Sequence, residues 1–335
     1  MLDPLVHFLL SLRESLGGGA FLGGTLLFSL VLCLFVIPWV TDHMVDSVAG
    51  LAGKHLGPKH RTLAINASTN SPELFLMLVS LAILNVGGVA TPLGSNFANL
   101  YLMFLVAPVW VVTVWYFKAR KDDRRKFVAL LRSEKRLVAW HFVAAAGLFA
   151  TSATAFYLLT GKMPIGGGSD PSGGEPAVRG LGFILAAAGI CLVAILVMVF
   201  FDRRLKRGRP ELFACIDSSD ENPSWLVFLS STAGLIACSL AMNVVFLAWT
   251  EAYRTSLSAV LGAGVFTGLH YFAGALITSL PELTVAIANF RLLRSPDLNT
   301  ALGSASYSNF TNLGIATFGM LLAALMILCG VKLAG

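Results

Sequence analysis

Charged residues are scarce in this chain. Asp, Glu, Lys and Arg make up 13% of its 335 residues, hydrophobic residues make up 56%, and the mean hydropathy is +0.77. Soluble globular proteins carry about 25% charged residues, so the composition excludes that class and predicts a protein embedded in a bilayer. A membrane-spanning helix needs about 20 mostly apolar residues. Eight spans are predicted, at about 20–40, 62–84, 91–117, 137–160, 180–201, 225–250, 257–290 and 300–332.

Cysteines and long polar segments are also few. The five cysteines include no pair at metal-binding spacing, so we interpret them as packing residues. Residues 1–16 have no small-residue cleavage site, and we expect no removable signal peptide. No connection is long enough for a water-soluble domain of about 50 residues or more.

Positive charge is concentrated in a few connections between the predicted spans. Nine Lys and Arg residues lie in 118–136, five in 203–209 and three in 54–61, and Arg291 and Arg294 follow the seventh span. With eight spans these connections share one side. The positive-inside rule therefore predicts that they are cytoplasmic and that both termini are extracytoplasmic. We expect a multi-pass protein of the plasma (cytoplasmic or inner) membrane. Nucleic-acid or anionic-lipid patches are alternative interpretations of the basic runs. Because topology alone explains the runs, we expect no nucleic-acid partner.

Two predicted spans are interrupted by similar polar phrases. Residues 68–75 read STNSPELF and residues 277–284 read ITSLPELT. Each phrase is followed by the same pattern, Ser-Asn-Phe-x-Asn-Leu, at 95–100 and at 308–313. The first copy would run outward and the second inward. Two copies of opposite orientation predict inverted-topology repeats, the architecture of many secondary transporters.

The residue types in the two copies point to cation chemistry. Proline has no amide hydrogen, so Pro72 and Pro281 each free a backbone carbonyl four residues earlier. A Thr and a Glu are spaced i, i+4 in each copy, and a Ser and an Asn share that spacing on the following helix, so each pair lies on one helix face. Carboxylate, hydroxyl, amide and carbonyl oxygens suit Ca²⁺, Na⁺ or H⁺ better than a soft metal. The pairs are Thr69 with Glu73, Thr278 with Glu282, Ser95 with Asn99, and Ser308 with Asn312.

The two glutamates predict exchange. A buried acid at mid-span costs about 2.5 to 3.5 kcal/mol on insertion scales. Glu73 and Glu282, brought together, would neutralise one divalent cation or two monovalent cations or protons. A site that must be filled in one of these ways predicts an antiporter. A single Pro-Glu in a span is more often a structural kink, but two copies with matching polar flanks favour function.

These phrases resemble the alpha-repeats of the calcium/cation antiporter superfamily, which includes the sodium/calcium exchangers. The family pattern is approximately G-T-S-x-P-E, then G-N-x-x-G-S-N-x-x-N or D, and the resemblance covers about residues 62–101 and 269–314. It implies an all-α transmembrane bundle in which Glu73 and Glu282 bind Ca²⁺ with backbone carbonyls at Thr69 and Thr278. It also implies that neighbouring Na⁺ or H⁺ positions are lined by Asn70, Ser279, Ser95, Ser308, Asn99 and Asn312.

The sequence departs from the family pattern in three respects. The Gly before Thr is Ser68 or Ile277, and the Gly before Ser-Asn is kept as Gly94 but replaced by Tyr307. Many relatives place an Asp where this chain has Asn in both copies, which predicts coupling to fewer Na⁺ or to H⁺. The family usually has ten spans, whereas here the second repeat ends after about three. A homodimer partner would then cover the exposed face.

The chain is therefore predicted to consist of three parts. Residues 1–136 form the first repeat half, 137–224 hold the fourth and fifth spans with a Gly-rich external loop at 161–180, and 225–335 form the second repeat half. No intramembrane nucleophile with a supporting base is apparent, so we expect no enzyme and no resident cofactor. Cations are the expected substrates and membrane lipid the expected surroundings. A non-transporting binding or regulatory relative and a passive cation channel remain alternatives.

Overall fold

A computed structural model describes residues 3–57, 60–82, 84, 87–161, 180–213, 223–261 and 275–333. Within these ranges every regular element is helical, which confirms the predicted all-α class. The predicted Gly-rich loop at 161–180 lies almost entirely outside them. The α-helices are Asp3–Leu16 (α1), Gly18–Val31 (α2), Ile37–His55 (α3), Arg61–Thr69 (α4), Ser71–Ala82 (α5), Gly87–Tyr101 (α6), Ala107–Phe117 (α7), Lys121–Ser133 (α8), Lys135–Thr160 (α9), Leu181–Gly208 (α10), Trp225–Ala252 (α11), Arg254–Leu261 (α12), Leu280–Phe290 (α13) and Ser295–Leu328 (α14).

Six helical segments in the described ranges are long and apolar enough to cross a membrane. These segments suggest a multi-pass membrane protein, in agreement with the prediction. The predicted spans at 62–84 and 257–290 are not continuous helices; α5 and α13 are shorter apolar helices, and residues 262–274 lie outside the described ranges. The six long segments are Gly18–His55, Gly88–Phe117, Lys135–Thr160, Leu181–Gly208, Trp225–Ala252 and Ser295–Leu328.

Two of the long segments contain a π-helical turn close to a proline. Leu32–Val36 joins α2 to α3 just before Pro38, and Leu102–Val106 joins α6 to α7 just before Pro108. A proline removes one amide donor from the helical ladder. A π turn lets the helix continue past the missing bond, and such turns are often found at functional sites.

Helix α14 lies at the centre of the bundle. It packs against α4, α5, α6, α9, α10 and α13. Glycines permit two of the closest approaches, as small residues do between membrane helices. A Cβ on Gly319 would stand 2.9 Å from Met77 Sδ, and a Cβ on Gly303 would stand 3.1 Å from Thr62 Cγ2. Because α14 carries Ser308 and Asn312, this central position places the second motif copy among the helices that carry the first.

Helices α3 and α11 form a second packed pair beside this bundle. Their interface buries Ile37, Met44 and Leu235, and Ile277 from the residues before α13 joins the same apolar cluster. This pair therefore lies directly against one of the two helix interruptions.

Basic connections meet at one end of the bundle. Glu134, between α8 and α9, accepts hydrogen bonds from Arg209 Nη2 at 3.2 Å and from Ser295 Oγ at 2.8 Å. Phe127 of α8 packs against Trp115 and Phe290, with ring centroids 5.7 Å away in each case. The connections at 118–136, 203–209 and 291–294 are thus neighbours. The assignment of this end to the cytoplasm stays a prediction.

Candidate functional site

Both copies of the Pro-Glu phrase interrupt a helix in the same way. Asn70 has φ −84° and ψ 10°, and Ser279 has φ −90° and ψ 3°, values close to the sparsely populated bridge region. In each copy the carbonyl of the interrupting residue accepts a hydrogen bond from the amide four residues later, from Leu74 at 3.2 Å and from Leu283 at 3.1 Å. The interruptions are therefore matched in backbone geometry as well as in sequence.

The interruptions place the two acids at helix starts. Glu73 lies in the first turn of α5 and Glu282 in the first turn of α13. Free amide groups and the helix dipole favour negative charge at this end of a helix. Both carboxylates are completely buried, which takes them away from lipid.

All ten predicted site residues are buried. None of their side chains is more than 1% exposed, although they come from α4, α5, α6, α13 and α14 and from the two interruptions. Their proposed role as ion ligands stays a prediction. The buried residues are Thr69, Asn70, Glu73, Ser95, Asn99, Thr278, Ser279, Glu282, Ser308 and Asn312.

Glu73 is linked to the second motif copy through hydroxyl groups. Ser95 Oγ donates to Glu73 Oε1 at 3.1 Å, and the hydroxyl oxygens of Ser95 and Thr278 share a hydrogen bond of 2.9 Å. Thr278 also forms a side-chain hydrogen bond with Glu73. The first glutamate is therefore held partly by a threonine 205 positions later in the chain.

Glu282 is linked to the first motif copy in a corresponding way. Ser308 Oγ lies 3.4 Å from Glu282 Oε1 and 3.0 Å from Asn70 Oδ1. Asn99 Nδ2 donates to Ser308 Oγ at 2.9 Å. Ser308 has one hydroxyl hydrogen, and Asn70 is its nearer acceptor.

Several buried oxygens in this network lack a hydrogen-bond partner among the described residues. Leaving such an atom unsatisfied costs about 1 to 3 kcal/mol, and more for a charged group, so these oxygens are available to a cation. The unpartnered oxygens are Glu73 Oε2, Glu282 Oε2, Asn99 Oδ1, Asn312 Oδ1 and Ser279 Oγ.

The donor set consists entirely of oxygens. Two carboxylates, five hydroxyls and amide oxygens are the ligands that hard cations prefer. The described residues contain no group of three or more His, Cys, Asp or Glu side chains that could hold a metal. Glu73 and Glu282 are near enough to interact electrostatically, so a cation between them would relieve their mutual repulsion.

A reciprocal asparagine pair next to the site was not among the predicted site residues. Asn96 Nδ2 donates to the carbonyl of Asn309 at 3.2 Å, and Asn309 Nδ2 donates to the carbonyl of Asn96 at 3.4 Å. Asn96 also donates to Ser152 Oγ of α9 at 2.6 Å. These bonds join α6 to α14 immediately after Ser95 and Ser308. The letter-for-letter recurrence of Ser-Asn-Phe was the signal that could have identified them.

A buried histidine of α9 forms hydrogen bonds with α14 at residues other than those of the site. His141 Nδ1 lies 2.7 Å from Ser306 Oγ, and its Nε2 lies 3.0 Å from Asn299 Oδ1. No motif in the sequence singled out this residue. The contact limits rotation of α14, which carries Ser308 two residues further along.

Tyr307, at the position where the antiporter pattern has a glycine, has its own partner. Its hydroxyl donates to Asp202 Oδ1 of α10 at 2.7 Å, and Lys206 Nζ lies 2.8 Å from Asp202 Oδ2. A Cβ on Gly303 would stand 2.9 Å from the Tyr307 ring, so Gly303 provides space for that ring. This departure from the family pattern therefore tethers α14 to α10.

Compared with protein-family models, curated proteins and solved structures, the chain gives no match. The resemblance to the calcium/cation antiporter superfamily therefore rests on the two sequence motifs alone.

Proposed function

We propose that this chain is a secondary active transporter that exchanges Ca²⁺ for Na⁺ or H⁺ by alternating access. The proposal includes two inverted repeats, about eight spans with both termini extracytoplasmic, and residence in the plasma (inner) membrane. In this arrangement each interrupted span contributes one glutamate to a shared site near the middle of the bilayer.

One observation carries the proposal. In each copy the motif serine joins its own glutamate to the opposite copy: Ser95 binds Glu73 and Thr278, and Ser308 contacts Glu282 and Asn70. Each glutamate also keeps one buried carboxylate oxygen without a hydrogen-bond partner in the described part of the chain. A purely structural kink gives no reason for two acids to meet in this crossed arrangement.

The chemistry follows from charge balance. Ca²⁺ between Glu73 and Glu282 would neutralise both carboxylates, and its remaining positions would be filled by neutral hydroxyl, amide and carbonyl oxygens. Two monovalent cations or protons would achieve the same neutrality. The protein cannot cheaply expose an empty, doubly charged site to a low-dielectric interior. Reorientation is therefore favoured only when the site is filled, and this condition produces exchange.

Reconstitution into proteoliposomes tests the proposal. Ca²⁺ uptake should require an opposing Na⁺ or pH gradient, and comparison of the two gradients identifies the coupling ion. A channel would pass Ca²⁺ without either gradient, and a non-transporting relative would show no flux.

Three matched variants complete the experiment. Glu73→Gln and Glu282→Gln should each remove exchange while the protein still elutes as a folded species. Glu251→Gln is the control, because Glu251 is 60% exposed at the end of α11 and faces Arg254 at 3.9 Å. Exchange retained by both site variants would refute the assignment.

A further inference from the structure

A long apolar groove runs along the outer surface between α9 and α10. Its volume is about 940 Å³, at the upper end of ordinary ligand pockets. On α9 it extends from Arg136 to Thr151, which corresponds to about 22 Å along the helix at 1.5 Å per residue. Gly147 of α9 and Gly189 of α10 form part of its floor, and a Cβ on either would meet no atom within 4 Å. The groove therefore has space for a long, thin apolar chain.

Cationic side chains stand at one end of this groove. Arg136 lines it directly, and Arg204 lines an adjoining pocket of about 300 Å³ that shares Trp140 and Phe201 with it. Helices α9 and α10 are antiparallel, so the start of one and the end of the other meet at this end. In the described part of the chain neither Arg136 nor Arg204 forms an ion pair.

The described acids near this end already have cationic partners. Glu134 and Glu211 both pair with Arg209, and Asp202 pairs with Lys206 and accepts from Tyr307. Among the described residues, Arg136 and Arg204 are thus left without an acidic partner next to an apolar channel, at the start of α9 and near the end of α10. This combination of a basic pocket and an apolar groove is the pattern expected for recognition of an anionic lipid headgroup.

We propose that the α9–α10 groove is a binding site for an anionic phospholipid. The phosphate would contact Arg136 and Arg204, and one acyl chain would lie along the groove over Gly147 and Gly189. Arginine suits this role because its planar fork of donors matches phosphate oxygens. The proposal does not depend on what the protein transports.

A second copy of the chain is a less suitable occupant of the groove. Two copies in one membrane share the same orientation, and a two-fold interface brings equivalent patches together. Arg136 and Arg204 would then face their own counterparts at the same depth, and like charges would repel. A lipid phosphate removes that repulsion.

Lipid retention measured by native mass spectrometry of the purified full-length protein tests the site. Dioleoyl phosphatidylglycerol should remain bound where dioleoyl phosphatidylcholine, with a zwitterionic headgroup, does not. Glycerol 3-phosphate, which has the headgroup phosphate without acyl chains, should not displace it. Replacing Arg136 or Arg204 by Gln should weaken binding by about fivefold for each arginine removed.

Matched controls separate a specific site from general attraction to positive charge. Arg203→Gln and Arg207→Gln remove exposed cations of the same connection that do not line the groove, and they should leave retention unchanged. Equal losses in both arginine sets would show that only net charge matters and would overturn the proposal.

Filling the groove provides an independent test of the acyl-chain position. Gly147→Leu and Gly189→Leu should each reduce retention at least as much as loss of one arginine, whereas Gly182→Leu, on open surface of α10 outside the groove, should not. Retention unaffected by the groove-filling variants contradicts the site. A change of oligomeric state without a change in lipid retention would identify the groove as a contact between copies and would also overturn the proposal.

Discussion

Asn99 and Asn312 occupy the same position in the two motif copies, yet their surroundings differ. Asn99 Nδ2 donates to Ser308 Oγ at 2.9 Å and to Asn309 Oδ1 at 3.1 Å. Both side-chain polar atoms of Asn312 are buried without a hydrogen-bond partner in the described residues. Both asparagines therefore keep an unpartnered side-chain oxygen in the described part of the chain, but only Asn99 also donates hydrogen bonds within the site. Matching sequence motifs do not imply matching roles.

The two copies also differ in the hydrogen bonds of the neighbouring polar residues. Asn70 Oδ1 accepts from Ser308, while Ser279 Oγ, its counterpart in the second copy, has no partner among the described residues. Ser308 thus connects more groups than Ser95 does. Among the ten predicted site residues, the polar atoms without a partner in the described part of the chain lie mostly in the second copy. We therefore expect ion selectivity to depend more on that copy and integrity of the site more on the first.

The largest contrast should come from introducing an acid at each asparagine position. Asn99→Asp removes the donor to Ser308 and Asn309 and places a buried carboxylate against their oxygens, a change of about 3 to 5 kcal/mol. We expect exchange to fall by about 100-fold or more. Asn312→Asp breaks no hydrogen bond and adds a third carboxylate, so exchange should persist with more coupling cations per Ca²⁺. Flux measurements in proteoliposomes give the exchange rate and the number of coupling cations per Ca²⁺ for both variants. Equal effects of the two variants would contradict the different roles of Asn99 and Asn312.

A smaller contrast is expected between the two serines. Ser308→Ala leaves both Asn99 and Asn70 without a hydrogen-bond partner that they now have, at about 1 to 3 kcal/mol for each group. Ser95→Ala removes one donor from Glu73, which keeps its bond to Thr278. We expect Ser308→Ala to slow exchange by about 10- to 100-fold and Ser95→Ala by less than about tenfold. Initial Ca²⁺ uptake rates show which variant loses more exchange. A larger loss for Ser95→Ala would contradict the expectation that Ser308 matters more than Ser95.

Two glycines give a stability contrast between the copies. A Cβ on Gly94 would lie 3.9 Å from the Ala275 Cβ, an ordinary contact, whereas a Cβ on Gly303 would lie 2.9 Å from the Tyr307 ring. We therefore expect Gly303→Ala to destabilise the protein by about 1 to 3 kcal/mol through overpacking. Gly94→Ala should change stability by less than about 0.5 kcal/mol. Thermal unfolding in detergent compares the two variants. Similar unfolding midpoints would show that the Tyr307 ring moves aside at little cost in stability.

A smaller loss of stability than that of Gly303→Ala should follow removal of the Tyr307 hydroxyl. Tyr307→Phe keeps the ring but loses the bond to Asp202, which retains Lys206 as a partner. A loss of about 1 kcal/mol is expected for one hydrogen bond. Tyr101→Phe is the control, because Tyr101 is 48% exposed and points away from the core. If both variants unfold at the wild-type temperature, the tether to α10 contributes nothing to stability.

Much of the architecture could be predicted from local pattern. Continuous apolar runs indicated the six long segments, because helix formation in lipid requires only local hydrogen bonds and an apolar surface. The Pro-Glu phrases drew attention to Asn70 and Ser279, where the helices are interrupted. Proline acts on its own backbone, so this effect too is local.

Pairings between distant residues could not be predicted. Asn96 meets Asn309, and His141 meets Ser306 and Asn299, only after α6, α9 and α14 have packed together. Spacing along one helix predicts which residues share a face. It does not state which face of another helix lies opposite, since that depends on crossing angle and register.

The sequence by itself determined an all-helical membrane chain with two interrupted segments that each carry a glutamate, because hydropathy and proline act over one helix turn or one span. Only the tertiary structure decided that, among the described residues, Asn99 is hydrogen-bonded and Asn312 is not, that Tyr307 reaches Asp202, and that a groove with two arginines lacking an ion pair in that part of the chain opens between α9 and α10. The physical reason is that hydrogen-bond partners and grooves are properties of helix packing, which depends on contacts among residues far apart in the chain.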